Sequence, residues 1–323
     1  VTTGILLTNL GTPDSPSTAA VRKYLTEFLS DPRVIEIPKL FWLPILYGII
    51  LPFRAPRSAK LYQKIWTEKG SSLRFILEEQ VQKLQIYLNA GQNNSKIIII
   101  GAMRYGHPSI ETGLKRLVEK NIKKLILFPL YPQYSGATTA TTFDEVARVF
   151  KSLRVQPELH VINAYYQHTV YISAVAESIE SHWKREGQTQ KLLFSFHGLP
   201  EVFVKKGDPY YMHCLETGRL ISEQLKLNAD QWMITFQSRL GKAEWLKPYT
   251  DKVLAQLPLE NIRKITVVCP GFSADCLETL EEVNMTNRTL FLQSGGEIFQ
   301  YVPALNASDP HIKLFANLIE AYL

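Results

Sequence analysis

Cysteine is scarce: of 323 residues only Cys214, Cys269 and Cys276 are cysteine, and no two of them form a CxxC pair. Three thiols cannot all pair with one another, so a disulfide framework is excluded and a reducing compartment is expected. They are also one short of a four-cysteine iron–sulfur site, and no such cluster is expected. The chain has no Walker A pattern, no GxGxxG after a strand, no HExxH and no GxSxG, which removes most support for nucleotide-dependent chemistry and serine hydrolysis. Long apolar runs are missing too. Leu40 to Phe53 is fourteen uncharged residues long, short of the roughly twenty that a membrane span requires. Pro44, Gly48 and Pro52 argue against a regular helix there, so the stretch is expected to pack inside, rest on a bilayer surface or line an apolar ligand site. No signal peptide is expected, because Val1 leads directly into the strand-like Gly4 to Asn9. The net charge of +6 is spread along the chain rather than gathered in a stripe, so a nucleic-acid partner is not expected.

What is present is an ordinary globular composition, 46% hydrophobic and 20% charged, in which short apolar runs alternate with amphipathic stretches. That alternation predicts an α/β protein with parallel sheets. Strands are expected near residues 4–9, 96–102, 125–129, 160–163, 191–196, 231–236, 265–269 and 297–302. Helices are expected at 17–29, 58–68, 73–88, 109–120, 138–151, 170–184, 209–225, 275–285 and 309–322. Three pieces recur at strand carboxyl ends. Leu6–Pro13 resembles Leu193–Pro200, Met103–Gly106 resembles Ser238–Gly241, and Lys123–Pro129 resembles Arg263–Pro270. The repeats predict two similar α/β lobes with their boundary near Asn163 to Tyr171, residues 1–165 and 166–323, the last helix packing back. The first two offsets, 187 and 135, place about 52 additional residues between the first two strands of the first lobe. The apolar Leu40–Phe53 stretch falls among them, within an insertion around residues 38–88 that reads as a lip over the ligand edge.

Open parallel sheets bind ligands outside the strands' carboxyl ends, and the candidate residues collect there. Leu192 to Pro200 is an apolar strand that runs into His197 and is stopped by Gly198 and Pro200. Leu10 holds the matching position in the first repeat. After the strand ending at Cys269–Pro270, a helix capped by Ser273 would set Asp275, Glu278 and Glu282 on one face at i, i+3 and i+7. Such a row is ordinarily a solvated surface, but this one starts at the same edge as His197. An imidazole beside carboxylates offers mixed donors for a borderline divalent metal such as iron(II), or a proton acceptor with an exit path. Tyr131, Tyr134 and Ser135 follow another strand, Arg104 and Tyr105 leave its neighbour, and Arg54 and Arg57 follow the lip. Arginines so placed suit carboxylate recognition.

Leu193–Pro200, Arg104-Tyr105-Gly-His-Pro, Tyr131-Pro-Gln-Tyr-Ser135, Phe236–Leu246 and Asp275-Cys-Leu-Glu278-Thr-Leu together resemble the signature blocks of the ferrochelatases, most closely the Gram-negative bacterial type. The resemblance runs in family order over nearly the whole chain. It implies a chelatase-like α/β fold of two similar Rossmann-like lobes with parallel sheets and a central cleft, a lyase that inserts iron(II) into protoporphyrin IX to give protohaem as the last step of haem synthesis, and no cofactor beyond the iron it inserts. It implies His197 and Glu278 as the metal-site pair and Asp275 and Glu282 as the acidic path. Arg104, Tyr131 and Ser135 would form the porphyrin wall, with Ser71 as a propionate contact and the Leu40–Phe53 stretch as the lip. Two positions depart from the family pattern: Cys276 stands where many members carry histidine, and Gly70-Ser71-Ser72-Leu73 replaces Gly-Ser-Pro-Leu. The resemblance implies a cytoplasmic enzyme, and leaves room for peripheral contact with the inner membrane and transient contact with neighbouring haem-pathway enzymes. A chelatase loading cobalt or nickel into a more carboxylated tetrapyrrole, a coproporphyrin-specific ferrochelatase, a tetrapyrrole or metal carrier without turnover and a two-lobed nucleotide-sugar transferase are the alternatives.

Overall fold

A computed structural model describes residues 2–90, 97–241 and 243–323. The expected strand start at Lys96, Val1, and Lys242 of the Phe236–Leu246 block lie outside the described residues. Among the described residues eight strands form two sheets: β1 (Thr3–Thr12), β2 (Ile97–Gly106), β3 (Lys124–Pro129), β4 (Glu158–Val161), β5 (Lys191–His197), β6 (Trp232–Gln237), β7 (Lys264–Val268) and β8 (Ile298–Val302). Their orders are β2-β1-β3-β4 and β6-β5-β7-β8. All pairings are parallel. The three repeated pieces therefore mark equivalent strands, β1 with β5, β2 with β6 and β3 with β7. Parallel sheets carry helices on both faces, which explains why β1 and β5 are buried along almost their whole length.

The chain divides into two compact units. Unit 1 comprises residues 1–130, 135–163 and 312–323, and unit 2 comprises 131–134 and 164–311. In unit 1 one core gathers Leu6, Leu114, Leu125, Leu127, Val146 and Phe150. The end of the chain completes this unit: Phe315 packs edge-on against Phe128 at 5.2 Å, and Lys124 Nζ donates to the Tyr322 carbonyl at 2.9 Å. In unit 2 the equivalent core gathers Leu193, Leu254, Ile265, Val267, Val283 and Phe291. β1 and β2 are longer than the apolar pattern predicts, so Arg104 and Tyr105 lie inside β2 rather than beyond it. The extension passes Gly11, whose φ of +129° and 1.9 Å approach of any Cβ to the Tyr105 carbonyl leave no room for a side chain.

The insertion corrects the sequence reading. Lys39–Ile45, a π turn at Leu46–Ile50 and Leu51–Ile65 run on as one helix through Pro44 and Pro56. Proline removes one hydrogen bond of the helical ladder, and an adjacent widened turn can regroup the remainder without ending the helix. Tertiary burial decides the outcome. Trp42 donates its indole N–H to the Leu29 carbonyl at 2.6 Å, while Leu46, Leu51, Ala55, Ala59 and Tyr62 form the buried stripe. That face packs on the Thr18–Leu29 helix. The opposite face presents Leu40 (81% exposed), Phe41, Tyr47, Ile49 and Phe53 (76%) to solvent. Among the described residues no helix is long and apolar enough to cross a membrane.

Candidate active site

In unit 2 the site is built on the end of β5. His197 is the last residue of the strand and pairs in register with Gln237 at the end of β6. The Gly198 amide donates to the Gln237 carbonyl at 2.6 Å, and a Cβ on Gly198 would come within 2.7 Å of that same oxygen. Only glycine lets the backbone turn so close to its neighbour, so the turn that ends β5 also presents the imidazole. His197 Nδ1 lies 2.7 Å from the Gly198 carbonyl. A carbonyl can only accept, so Nδ1 carries the proton and the Nε2 lone pair of the neutral ring is left to bind a metal or take a proton.

The acidic residues arrive on a wide π-helical segment, Glu278–Asn287. The expected row of three acids is reduced to two. Asp275 lies ahead of the helix, buried, and its carboxylate accepts from Tyr301 Oη at 2.5 Å, Asn306 Nδ2 at 2.8 Å and Thr279 Oγ1 at 2.9 Å. Those bonds tie the loop to residues 301–306, so Asp275 does not share a face with the other two. Glu278 accepts from the Cys276 thiol at 3.0 Å, and its carbonyl accepts from Gln237 Nε2 at 3.3 Å. Burial pushes the Cys276 thiol well up, which keeps it protonated and a donor to Glu278. Glu282 is held by Ser238, whose amide donates to Oε1 at 2.8 Å and whose hydroxyl donates to Oε2. Burial raises the Glu282 pKa. The Ser238 bonds and the nearby His197 oppose that rise, and Glu278 adds to it. One carboxylate therefore senses both members of the expected pair, which brings His197, Glu278 and Glu282 into one neighbourhood. Among the described residues no group of three or more His, Cys, Asp and Glu is arranged to hold a metal.

Sequence reasoning missed the supports. Ser238 carries a φ of +64°, the left-handed region, which aims its amide and hydroxyl together at Glu282. The repeat at Ser238–Gly241 marked the place but not the role. Gln237, which also accepts from Ser195 Oγ at 2.6 Å, lies in the Phe236–Leu246 block, which marked its place but not its role; Tyr210, whose hydroxyl donates to the His197 carbonyl at 3.0 Å, carried no signal in the sequence.

The remaining candidates lie in unit 1, with the exception of Tyr131 and Tyr134, which belong to unit 2. Arg104 and Tyr105 are engaged internally: Arg104 Nη2 and Tyr105 Oη both donate to Asp31 Oδ2, at 2.6 and 2.8 Å, and Arg104 Nε donates to Thr141 Oγ1 at 2.8 Å. Tyr105 has 1% of its surface exposed, and its ring and hydroxyl are taken up by these contacts within unit 1. Ser71 is buried and accepts from Thr12 Oγ1 at 2.7 Å; Ser135 is buried and caps the turn at Gly136–Ala140. Leu10 is half-buried near the end of β1, Arg54 half-buried and Arg57 exposed on the inserted helix.

The ferrochelatase family model matches residues 2–323 of the chain. This chain belongs to the ferrochelatase family. It is accordingly an enzyme that inserts a metal into a porphyrin in haem synthesis. Among its relatives, ferrochelatase 2 of Shewanella oneidensis is 51% identical over 320 residues, covering 99% of this chain and 97% of that one. The ferrochelatase of Aeromonas hydrophila subsp. hydrophila is 48% identical over 317 residues, covering 98% and 97%. Among solved structures, SirB from Bacillus subtilis with Fe3+ matches with a TM-score of 0.57 at 11% identity, covering 99% of this chain and 95% of that one. CbiX, the terminal enzyme for biosynthesis of sirohaem in denitrifying bacteria, matches at 0.53 and 11%, covering 99% of both chains. At that identity the two structures speak for the fold alone, and the sequence relatives for the ferrochelatase family.

Proposed function

We propose that this ferrochelatase inserts iron(II) into protoporphyrin IX, with His197 and Glu278 as the metal-site pair and Glu282 as the acceptor that carries pyrrole protons away. Insertion brings in a divalent ion and releases two N–H protons, with no change of oxidation state. A pyrrole N–H is barely acidic, so the site has to supply a base beside the metal. The observation that carries the reading is the tautomer of His197: the Gly198 carbonyl fixes the proton on Nδ1 and leaves Nε2 basic. Glu278, steadied by the Cys276 thiol, supplies a carboxyl oxygen for the ion. Glu282, less acidic than an ordinary carboxylate, can take up a proton and pass it outward.

The rest of the reading concerns the porphyrin. The exposed apolar row Leu40, Phe41, Tyr47, Ile49 and Phe53 suits a flat, largely apolar macrocycle and peripheral contact with the cytoplasmic face of the inner membrane. Arg54 and Arg57 on the same helix are the cations for two propionates, and Tyr131 and Ser135 belong to the wall. The reading requires no cofactor beyond the iron inserted, and places the protein in the cytoplasm. The test is an anaerobic assay with iron(II) and porphyrins of two and four carboxylates. Turnover should favour protoporphyrin IX, and His197→Ala should reduce kcat by at least about a hundredfold, the usual contribution of a positioned base, with the melting temperature kept. A near-normal rate in that variant, or preference for the four-carboxylate substrate, would refute the proposal.

A further inference from the structure

Tyr131–Tyr134 interrupts unit 1 in sequence but belongs to unit 2, and its bonds show how it is held. Gln133 Nε2 donates to Thr217 Oγ1 at 2.9 Å, the Tyr134 amide donates to His213 Nδ1 at 3.2 Å, and the Pro132 carbonyl accepts from the Tyr165 amide at 2.9 Å. His213 and Thr217 stand one turn apart on the Tyr210–Gln224 helix, the helix whose Tyr210 hydroxyl binds the His197 carbonyl at 3.0 Å. A single rigid element therefore grips both the loop that carries Tyr131 and the end of β5.

His213 makes this grip conditional. Its Nδ1 accepts the Tyr134 amide only while that nitrogen is unprotonated. The ring lies flat on Tyr166, with centroids 3.8 Å apart and planes 11° apart, which fixes the direction of the lone pair. The groups around it are the Tyr166 ring, the Tyr134 amide, Thr217 on its own helix and the Asp208 carboxylate from the preceding turn. Burial holds its pKa below the usual histidine value, with Asp208 opposing in part. The imidazole is thus neutral at neutral pH, the form the bond requires.

We infer that His213 is a positioning residue for porphyrin binding: its neutral imidazole fixes the Tyr134 amide, and with it the place of Tyr131 relative to His197, and protonation at acid pH releases the loop. The inference rests on the proposed placement of Tyr131 in the porphyrin wall. His213 touches no reacting atom, so it should act on porphyrin KM and leave kcat and metal KM unchanged.

The test pairs hydrogen exchange at the Tyr134 amide of the unliganded full chain with steady-state kinetics. His213→Ala should lower protection at Tyr134 and raise porphyrin KM, each by about three- to tenfold, the worth of one hydrogen bond. His213→Asn, whose Oδ1 can accept the same amide but does not titrate, should restore both. It should also abolish the acid-side loss of Tyr134 protection and rise in porphyrin KM expected of the wild type. Unchanged Tyr134 protection in the alanine variant, a fall in kcat at constant KM, or an asparagine variant no better than alanine would each overturn the inference. If the alanine variant does not fold, the pH dependence of Tyr134 protection in wild type against His213→Asn decides alone. A wild type that shows no metal insertion into protoporphyrin IX would refute the functional proposal instead, because the exchange measurement uses no substrate.

Discussion

His311 and Ser238 show how much of this molecule is decided by single side chains whose importance no pattern displays. His311 is buried at the start of the Asp309–Glu320 helix, and its Nδ1 lies 2.6 Å from the Asn306 carbonyl, the residue whose side chain also binds Asp275. Burial pulls its pKa down to about 4, with the Asn306 carbonyl opposing. The depressed value favours the neutral ring in the folded chain, so the unfolded chain binds the extra proton first. This contribution is complete above the unfolded value of about 6.5 and is lost as pH falls toward 4, to a total of about 3 kcal/mol. The denaturant midpoint of the wild type should therefore fall more steeply between those pH values than that of His311→Asn; parallel profiles would show that the histidine does not titrate there. Ser238 offered less warning still. Its left-handed backbone and grip on Glu282 depend on a turn seen only in three dimensions. Likewise Arg104 and Tyr105 were visible as a motif, but Asp31, which takes both, is 73 residues from Arg104 in the chain. His197 was legible because strand, histidine and breaker are contiguous. Its tautomer was not, since that depends on where the Gly198 carbonyl points.

Among the elements, the helix over residues 39–65 is the instructive failure. By the local rule Pro44, Gly48 and Pro52 argue against a regular helix, whereas the helix persists because one face is buried against the Thr18–Leu29 helix. Its two faces should respond in opposite ways to substitution. Trp42→Ala removes a buried ring and its bond to Leu29 and should cost about 3–5 kcal/mol of stability. Leu40→Ser with Phe41→Ser, on the exposed face, should change stability by less than about 0.5 kcal/mol while raising porphyrin KM. Thermal melts and kinetics on the two variants separate anchor from lip; a large loss of stability in the double serine variant would show that face to be core. The segment after β7 failed differently. Spacing alone set Asp275, Glu278 and Glu282 in line, but the helix begins after Asp275, at Leu277, and continues as a π-helix, a form that 3.6-residue periodicity does not describe.

The two four-stranded parallel sheets were legible because β strands buried on both faces leave short apolar runs, and because equivalent strands end in similar turns. The last helix is expected to pack back, but no run of residues announces that residues from 312 onward belong to unit 1 or that residues 131–134 belong to unit 2. Leu314, Phe315 and Ile319 are wholly buried in the helix whose residues from 312 onward complete unit 1. Phe315→Ala should cost about 3–5 kcal/mol, and hydrogen exchange should locate the loss in β3 and its neighbours, with β5 to β7 protected as before. Uniform loss over all eight strands would show instead that the molecule opens as a single cooperative block.

This threading also governs the order in which the protein can mature on the ribosome. Domains ordinarily fold in the order they are made, but the amino-terminal unit here lacks a piece of its interior until residues 312–323 have been translated. The Tyr131–Tyr134 segment likewise waits for helix 210–224 to be synthesised before it has anything to grip. The half made first is the half finished last, and its sheet must remain without that cover for most of the time the chain takes to emerge.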